Sequence, residues 1–410
     1  MSQCVPVPKS GNLSVPNKWC GVTLTDVCSK IFSLVMNGCA FCILELHGTR
    51  FQFGGTPTLG CQDGLFMLKT LLNAHKNRNL PSCVVFADLV KAYDTANHDL
   101  LLKVPEKYGT LPKFVAAIST MYTDLKVILK IDKEITEIME SDGLCQGDNM
   151  APVLFLFLMS AAAETLEYMC KNAGIDVLKV AHTPDNQLEN CCVRGHSPRM
   201  YLLRKLTTYK IYQLLHVDDG SFPFPTRAAS IKGLILVHSH LARFGLEVHI
   251  GQNGDPSIME CVFFPPPQFF DDIQSSTSVP TNNNIDKPHL LHQDPNSDVL
   301  CHLEQESRES ENARTAREDA KYDALPETQP INISDEYVTF CWKFKYLGSC
   351  ISYNLQDDDD IEARLVAANQ SMGVLKNVWR NPHLDTYSKY LLFRAIHMNL
   401  LLWGCENWSL

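Results

Sequence analysis

Apolar residues recur at spacings of three and four from Leu24 to Leu44 (LTDVCSKIFSLVMNGCAFCIL), which predicts a helix with Thr25 as a weak cap and Asp26 in its first turn. A second such pattern spans Cys61 to Asn77. The period then changes. Cys83 to Asp88 (CVVFAD) is a continuous β-branched and aromatic run ending on a carboxylate, which predicts a buried strand, and LVKAYDTANHDLLLKVPEKYG continues it as turn and helix. Leu111 to Tyr122 suits a further helix, and Lys126 to Glu140 alternates apolar and polar positions as a hairpin does. The Gly-bounded loop GLCQGDN feeds APVLFLFLMSAAAETLEYMC, apolar on nearly every side and so predicted as a buried core helix. In Lys210 to Phe224, two apolar runs flank Asp218, Asp219 and Gly220, and the Asp-Gly pair predicts the hairpin turn there. Ser230 to Leu246 reads as an amphipathic helix, Glu247 to Phe264 as extended and Tyr337 to Ile351 as strand-like. Asp357 to Asp360 precede IEARLVAANQSMGVLKNVW, so four acids face the positive end of a helix dipole. The mixture predicts an α+β fold.

Composition narrows the function classes. Of the 410 residues 45% are hydrophobic, enough for a large core. The longest apolar stretch, Ala151 to Ala163, is too short to span a bilayer, and the N-terminus lacks a signal-type apolar core, so no membrane partner is expected. Sixteen cysteines without a signal read as reduced intracellular thiols. The formal charge of −10 argues against a nucleic-acid partner until it is located: 13 acids against 5 bases between Pro265 and Pro330 account for −8 of it. That segment is rich in Ser, Asn, Gln, Pro and Glu and reads as a disordered acidic insertion over 265–330, with room for a helical stretch around Leu303 to Ala324 that carries no expected site. Cys39 and Cys42 form one CxxC without a second pair at zinc spacing, so zinc is not expected. FGGTPTLG lacks the Lys and spacing of a phosphate loop, and the basic stretch Arg199 to Lys210 is either a solvated face or a nucleic-acid contact.

The sharpest chemistry lies in the carboxylates. Asp88 ends one apolar strand, and Asp218 with Asp219 sits in a hairpin. On neighbouring strands these groups converge at one sheet edge, where like charges are tolerated with cations between them. Oxygen ligands with room for phosphate suit Mg²⁺ in a two-metal site, one ion activating a hydroxyl and the other neutralising the leaving group. Taken alone, Asp88 reads first as a helix cap and Asp-Gly as a plain turn.

Four ordered motifs decide between these. FADLVKAYDTANHDLL, GLCQGDNMAPVLFLFLM, HVDDG and Phe344 to Gly348 (FKYLG) together resemble the reverse transcriptases of non-LTR (LINE-type) retrotransposons. The resemblance implies a right-hand polymerase fold, with an antiparallel palm sheet, packed helices and a partial helical thumb. It divides the chain into fingers at 1–82, palm at 83–264 with a fingers insertion at about 111–142 and a variable connection at about 171–209, the acidic insertion, a primer-grip strand at 331–352 and a partial thumb at 353–410. It implies that Asp88, Asp218 and Asp219 are catalytic and hold two Mg²⁺ ions, with Mn²⁺ as the alternative, and that Leu89 adds a backbone carbonyl. Tyr93 would stand under the incoming sugar, Gln146 and Gly147 would support nucleotide and template base, and Phe344, Lys345, Tyr346, Leu347 and Gly348 would grip the primer. The implied reaction is attack of a DNA primer 3′-OH on the α-phosphate of a dNTP along an RNA template, with pyrophosphate leaving, and intracellular, nuclear action follows from the family's habit.

The chain departs from that pattern chiefly at cations. Cys20 stands where an Arg is usual, Cys39 where a second basic residue is, and Ile258 where a Lys is, while His216 replaces an aromatic that Ala normally follows. Losing a charge-assisted phosphate contact costs roughly 1.5 to 3 kcal/mol. The alternative reading is therefore a catalytically degenerate remnant that at most binds nucleic acid, and the truncated look of both ends suits a fragment or a decayed element. An unrelated two-metal nuclease would need another acid or His near the cluster, and none stands at suggestive spacing.

Overall fold

The computed structural model describes residues 2–8, 14, 19–89, 91–122, 126–131, 134–140, 143–182, 207–248, 250, 259–269, 315–333 and 336–408. Ile258, most of the stretch Arg199 to Lys210, and 270–314 of the acidic segment lie outside them.

The architecture is the expected α+β one, organised around a six-stranded sheet. Its strands are β3 (Ser82–Ala87), β8 (Leu214–His216), β9 (Asp219–Phe224), β10 (Glu260–Phe264), β11 (Ile331–Ile333) and β12 (Glu336–Phe340), in the spatial order β11-β12-β10-β3-β9-β8. All neighbours are antiparallel except β10 and β12, so the sheet is not purely antiparallel as expected. Every residue of β3 is buried. Val85 and Ala87 join one apolar cluster and Val84 and Phe86 another, which is why the sequence shows a continuous run there rather than an alternation. The first cluster includes much of the core helix, α5 (Ala151–Asn172), buried from Val153 to Ser160. The second includes α2 (Cys61–Lys76) and the hairpin of β13 (Lys343–Tyr346) and β14 (Ser349–Ser352).

A second sheet joins β1 (Ser2–Pro8), β2 (Trp19–Leu24), β4 (Lys126–Ile131) and β5 (Glu134–Glu140) in the order β2-β1-β4-β5. The last two form the hairpin read from the alternation. β6 (Leu178–His182) pairs with β7 (Thr207–Ile211) in a separate ribbon. α1 runs Val27–His47, and its cap is Asp26, accepting from the Ser29 amide at 2.9 Å, one position past the expected Thr25. α3 (His98–Lys107), α4 (Pro112–Tyr122) and α6 (Arg227–Ala242, capped by Thr226) complete the packing, followed by α7 (Asp358–Val374) and shorter helices.

Within the acidic segment 315–323 is helical, inside the stretch that the sequence allowed as helix, and buried Tyr322 accepts from the Phe263 amide at 3.0 Å and donates to the Cys341 carbonyl at 3.2 Å. One aromatic anchor with two hydrogen bonds offsets a composition that reads as unfolded when averaged. Apolar character averaged over a whole helix is a different measure from an uninterrupted apolar run. Both Val27–His47 and Ala151–Asn172 are long and apolar enough, by length and composition alone, to cross a membrane; the second is mostly buried in the core, whereas the first exposes Val27, Ile31, Leu34, Val35 and Leu46.

Candidate active site

Strand register brings the carboxylates together. β3 pairs with β9 through Ala87↔Gly220, and β9 with β8 through His216↔Asp219. Asp88, one residue past β3, therefore leaves the sheet at the edge where Asp218 and Asp219 enter β9. The turn is Val217 and Asp218, two residues before the Asp-Gly position read from sequence: Asp219 and Gly220 belong to β9. All three carboxylates are half-buried. Burial, then the charge of Asp218, then that of Asp88, pushes the Asp219 carboxyl up to about 6. Among the described residues no Lys or Arg forms an ion pair with Asp218 or Asp219.

Tyr93 lies beside them. Its ring stacks on Phe155 with centroids 4.8 Å apart, and burial together with the charge of Asp218 pushes its phenol up to about 12. Leu89 is buried and makes an isolated antiparallel bridge with Val248, which ties its backbone down. His216 contacts the Cys61 thiol, with Sγ 3.2 Å from Nε2, linking the carboxylate turn to the start of α2.

The loop holding Gln146 and Gly147 is clasped on two sides. The Leu144 amide donates to the Tyr93 carbonyl at 2.7 Å, and a Cβ on Gly143 would stand 2.4 Å from the Asp94 carbonyl oxygen. On the other side the Thr23 amide of β2 donates to the Gln146 carbonyl at 2.6 Å. Gly147 has φ +103°, and a Cβ there would stand 2.7 Å from the Thr23 carbonyl oxygen, so only glycine fits. The Cys20 thiol donates to Gln146 Oε1 at 3.1 Å, so the residue that stands where the resemblance leads one to expect Arg engages the Gln146–Gly147 loop. Cys39 is exposed on α1. Behind the loop, buried Tyr122 donates to Asp148 Oδ2 at 3.0 Å, and a ring nitrogen of His98 lies 3.0 Å from the Gly143 carbonyl oxygen.

The hairpin carrying Phe344 to Gly348 packs against the central sheet. Phe344 stacks on Phe86 at 4.5 Å, Tyr346 lies tilted against the same ring at 5.1 Å, and Tyr346 donates to the Leu214 carbonyl at 3.2 Å. Burial, with Asp219 among the charges acting on it, raises the Tyr346 phenol. Leu347 and Gly348 form the two-residue turn at φ +48° and +83°, and Lys345 is exposed. Acid, aromatic and loop residues read from the motifs thus gather at one end of the central sheet. Sequence reasoning missed Gln52, Cys61, His98 and Tyr122; Gln52, a polar residue between two Phe and just ahead of Gly54 and Gly55, was the signal available for the first.

The donor set is hard oxygen and crowded, with no described Lys or Arg paired to Asp218 or Asp219, which suits a divalent cation of the Mg²⁺ kind. Among the described residues no group of three His, Cys, Asp or Glu side chains is gathered tightly enough to hold a metal by itself. Such an ion would take the rest of its coordination from water and a phosphate-bearing substrate.

Residues 7–250 match the family described as reverse transcriptase (RNA-dependent DNA polymerase). The chain is 25% identical over 130 residues to the transposon TX1 uncharacterized 149 kDa protein of Xenopus laevis, covering 32% of this chain and 10% of that protein. It is 22% identical over 151 residues to the Pol polyprotein of a type-1 retrotransposable element R2 of Popillia japonica, covering 36% and 21%. With the Pol polyprotein of the type-2 element R2DM of Drosophila melanogaster it shares 29% over 117 residues, covering 28% and 11%. The matches therefore span between a tenth and about a fifth of these relatives' own lengths. Among solved structures, apo telomerase from Candida tropicalis, truncated from its C-terminal domain, is similar with a TM-score of 0.42 at 12% identity, covering 63% of this chain and 50% of that one. Telomerase from Candida albicans with a fragment of telomeric RNA gives 0.39 at 10% identity, covering 63% and 41%.

Proposed function

Because the chain belongs to the reverse transcriptase family, with a domain of the non-LTR retrotransposon type in the right-hand polymerase fold, we propose that it is an RNA-directed DNA polymerase that extends a DNA primer along an RNA template from dNTPs. The observation that carries this reading is the convergence of Asp88, Asp218 and Asp219, with the Asp219 carboxyl pushed up to about 6 by burial and by its two neighbours.

In this reading Asp88 and Asp218 hold the divalent ions, with Asp219 beside them. When bound, Mg²⁺ supplies charge neutralisation at the α-phosphate and lowers the pKa of the attacking hydroxyl. The chain's own residues do the positioning. The Tyr93 ring, fixed by its stack on Phe155, forms the floor under the incoming sugar and sets the space at its 2′ position. Gln146 and Gly147 present a glycine backbone that a nucleotide approaches closely, in a loop held by β2 on one side and by Tyr93 and Asp94 on the other. The β13–β14 hairpin, anchored on Phe86 and Leu214, holds the primer terminus with Lys345 free of the core to meet a phosphate. Positioning and charge neutralisation account for most of the rate in such a transfer.

A second reading, a remnant that binds nucleic acid without turnover, is favoured by the Cys20 thiol, which sits where the family has a triphosphate-binding Arg and is bonded to Gln146. Primer extension on an RNA template with Mg²⁺, comparing wild type with Asp218→Asn, separates them. Extension by wild type alone supports the polymerase. No extension by either, with salt-sensitive retention of a labelled primer–template, supports the remnant.

A further inference from the structure

The residue just before Asp218 is conformationally strained. Val217 has φ +58°, in the left-handed region that a β-branched side chain rarely adopts. Such a conformation persists where its surroundings over-determine it, and it tends to occur where function needs it. Part of this comes from the two-residue β8–β9 turn, whose favoured types put a positive φ at the first position, and part from a segment far away in sequence. Residues 51–53 run beside β8, with the Leu215 amide donating to the Phe51 carbonyl and the Phe53 amide to the Leu215 carbonyl, both at 2.8 Å. This register lays the Gln52 side chain, 4% exposed, against the turn. Its Oε1 accepts from the Val217 amide at 2.9 Å and from the Gly54 amide at 3.1 Å, while its Nε2 donates to the Val217 carbonyl at 3.4 Å. Gly54 leaves the room for this: a Cβ there would stand 2.6 Å from Val217 Cγ2 and 2.7 Å from its nitrogen.

We propose that Gln52 is a positioning residue for the metal-holding carboxylates, clamping Val217 in its left-handed conformation so that Asp218 faces Asp88. The proposal rests on the polymerase reading of those carboxylates. Gln52 reaches neither substrate nor reacting atoms and acts through the backbone of Val217. Both polar groups of the strained residue are bonded to one side chain, so a change at Gln52 releases them together. Val217 then relaxes to a negative φ, the peptide plane between Val217 and Asp218 rotates, and the carboxylate swings with it. Glycine at 217 would remove the strain that the clamp opposes, because it takes a positive φ without steric cost.

The test is a double-mutant cycle of Gln52→Met, which keeps the buried volume, with Val217→Gly, read by primer extension and by urea unfolding. Gln52→Met is expected to lower kcat about 30-fold with the KM for dNTP changed by less than about threefold, as misplacement of a reacting group does. Adding Val217→Gly is expected to restore kcat at least about fivefold and to shrink the drop in urea midpoint that Gln52→Met causes. An unchanged kcat in Gln52→Met, or a Gln52→Met loss that is equal with and without Val217→Gly, overturns the clamp. If wild type extends no primer, the polymerase reading falls, and the unfolding cycle still decides the clamp: additive effects there overturn it.

Discussion

The chain holds two groups of aspartates that the fold treats in opposite ways. Asp357 and Asp360, at the start of α7, are buried and surrounded by donors. Lys69 reaches Asp357 at 2.6 Å, and Asp360 accepts from the Ser349 hydroxyl at 2.7 Å, the Cys350 amide at 2.9 Å and the Trp408 indole at 2.9 Å, with Arg364 at 3.4 Å. Burial pushes the Asp360 carboxyl up, yet these donors hold it below the usual carboxylate range. At the edge of the central sheet the balance is reversed. Asp219 is raised by burial and by two neighbouring carboxylates, and no Lys or Arg among the described residues pairs with it. Where protein donors neutralise the acids, they are structural fasteners for the β13–β14 turn and α2. Where the fold leaves them crowded, a bound divalent cation would supply the charge that no described Lys or Arg supplies to Asp218 or Asp219.

The largest effect that can break this contrast is on activity. Asp218→Asn should lower primer extension by at least about 10³-fold while leaving the urea midpoint nearly unchanged, because a site that depends on charge neutralisation loses several kcal/mol in the transition state. A variant that extends normally would place Asp218 with the structural acids. In the other group the sensitivities should be exchanged. Asp360→Ala strips partners from the Trp408 indole, the Ser349 hydroxyl, the Cys350 amide and Arg364, and removing one member of a buried charged network costs about 3 kcal/mol. Urea unfolding measures that loss. A loss below about 1 kcal/mol, the worth of an ordinary exposed ion pair, would show that the donors find water instead.

The nucleotide side supplies a smaller effect. Cys20→Arg breaks the thiol contact with Gln146 Oε1 and offers a cation facing the same loop. A charge-assisted phosphate contact strengthens binding by roughly 1.5 to 3 kcal/mol, so the KM for dNTP should fall at least about tenfold with kcat moving less. An unchanged KM would mean that an Arg side chain from β2 does not reach the triphosphate.

How much of this was legible in the sequence follows from how local each signal is. Asp88 was readable because β3 is buried on both faces and so appears as an unbroken apolar run with a carboxylate at its end. The Gly143 to Asp148 loop was readable because glycine at 147 is forced by a left-handed backbone lying against Thr23. The turn before Asp219 was misplaced because Asp-Gly is a strong turn signal, yet Gly220 is spent inside β9 and the strained Val217 takes the turn. Nothing near Val217 in sequence announces that, since the clamp is Gln52, 165 positions away. The donors of Asp360 lie on three separate stretches, so the run Asp357 to Asp360 looked like a dipole-facing acidic patch rather than a fastener. Tyr322 was hidden because one anchoring aromatic barely changes the average of an acidic window.

The smallest effect is also the most direct reading of the crowded site, because it needs no substrate. In the unfolded chain Asp219 titrates near 3.8, and in the folded protein near 6. The folded state therefore binds this proton more tightly. Its contribution to stability is present at low pH, declines as pH rises through the window from about 4 to 6, and above that leaves a constant penalty. Asp219→Asn removes the penalty, so the variant should exceed wild type in urea resistance at pH 8 by about 1 kcal/mol, after allowing for solvent screening of a half-exposed group, and the gap should close toward pH 4. Mg²⁺ should narrow the gap at pH 8 by stabilising wild type, since a divalent ion relieves the repulsion that the substitution relieves. A gap that stays the same at both pH values, or Mg²⁺ stabilising both proteins equally, would mean that Asp219 does not feel Asp218 and Asp88, and the distinction between the two groups of aspartates would then rest on Asp360 alone.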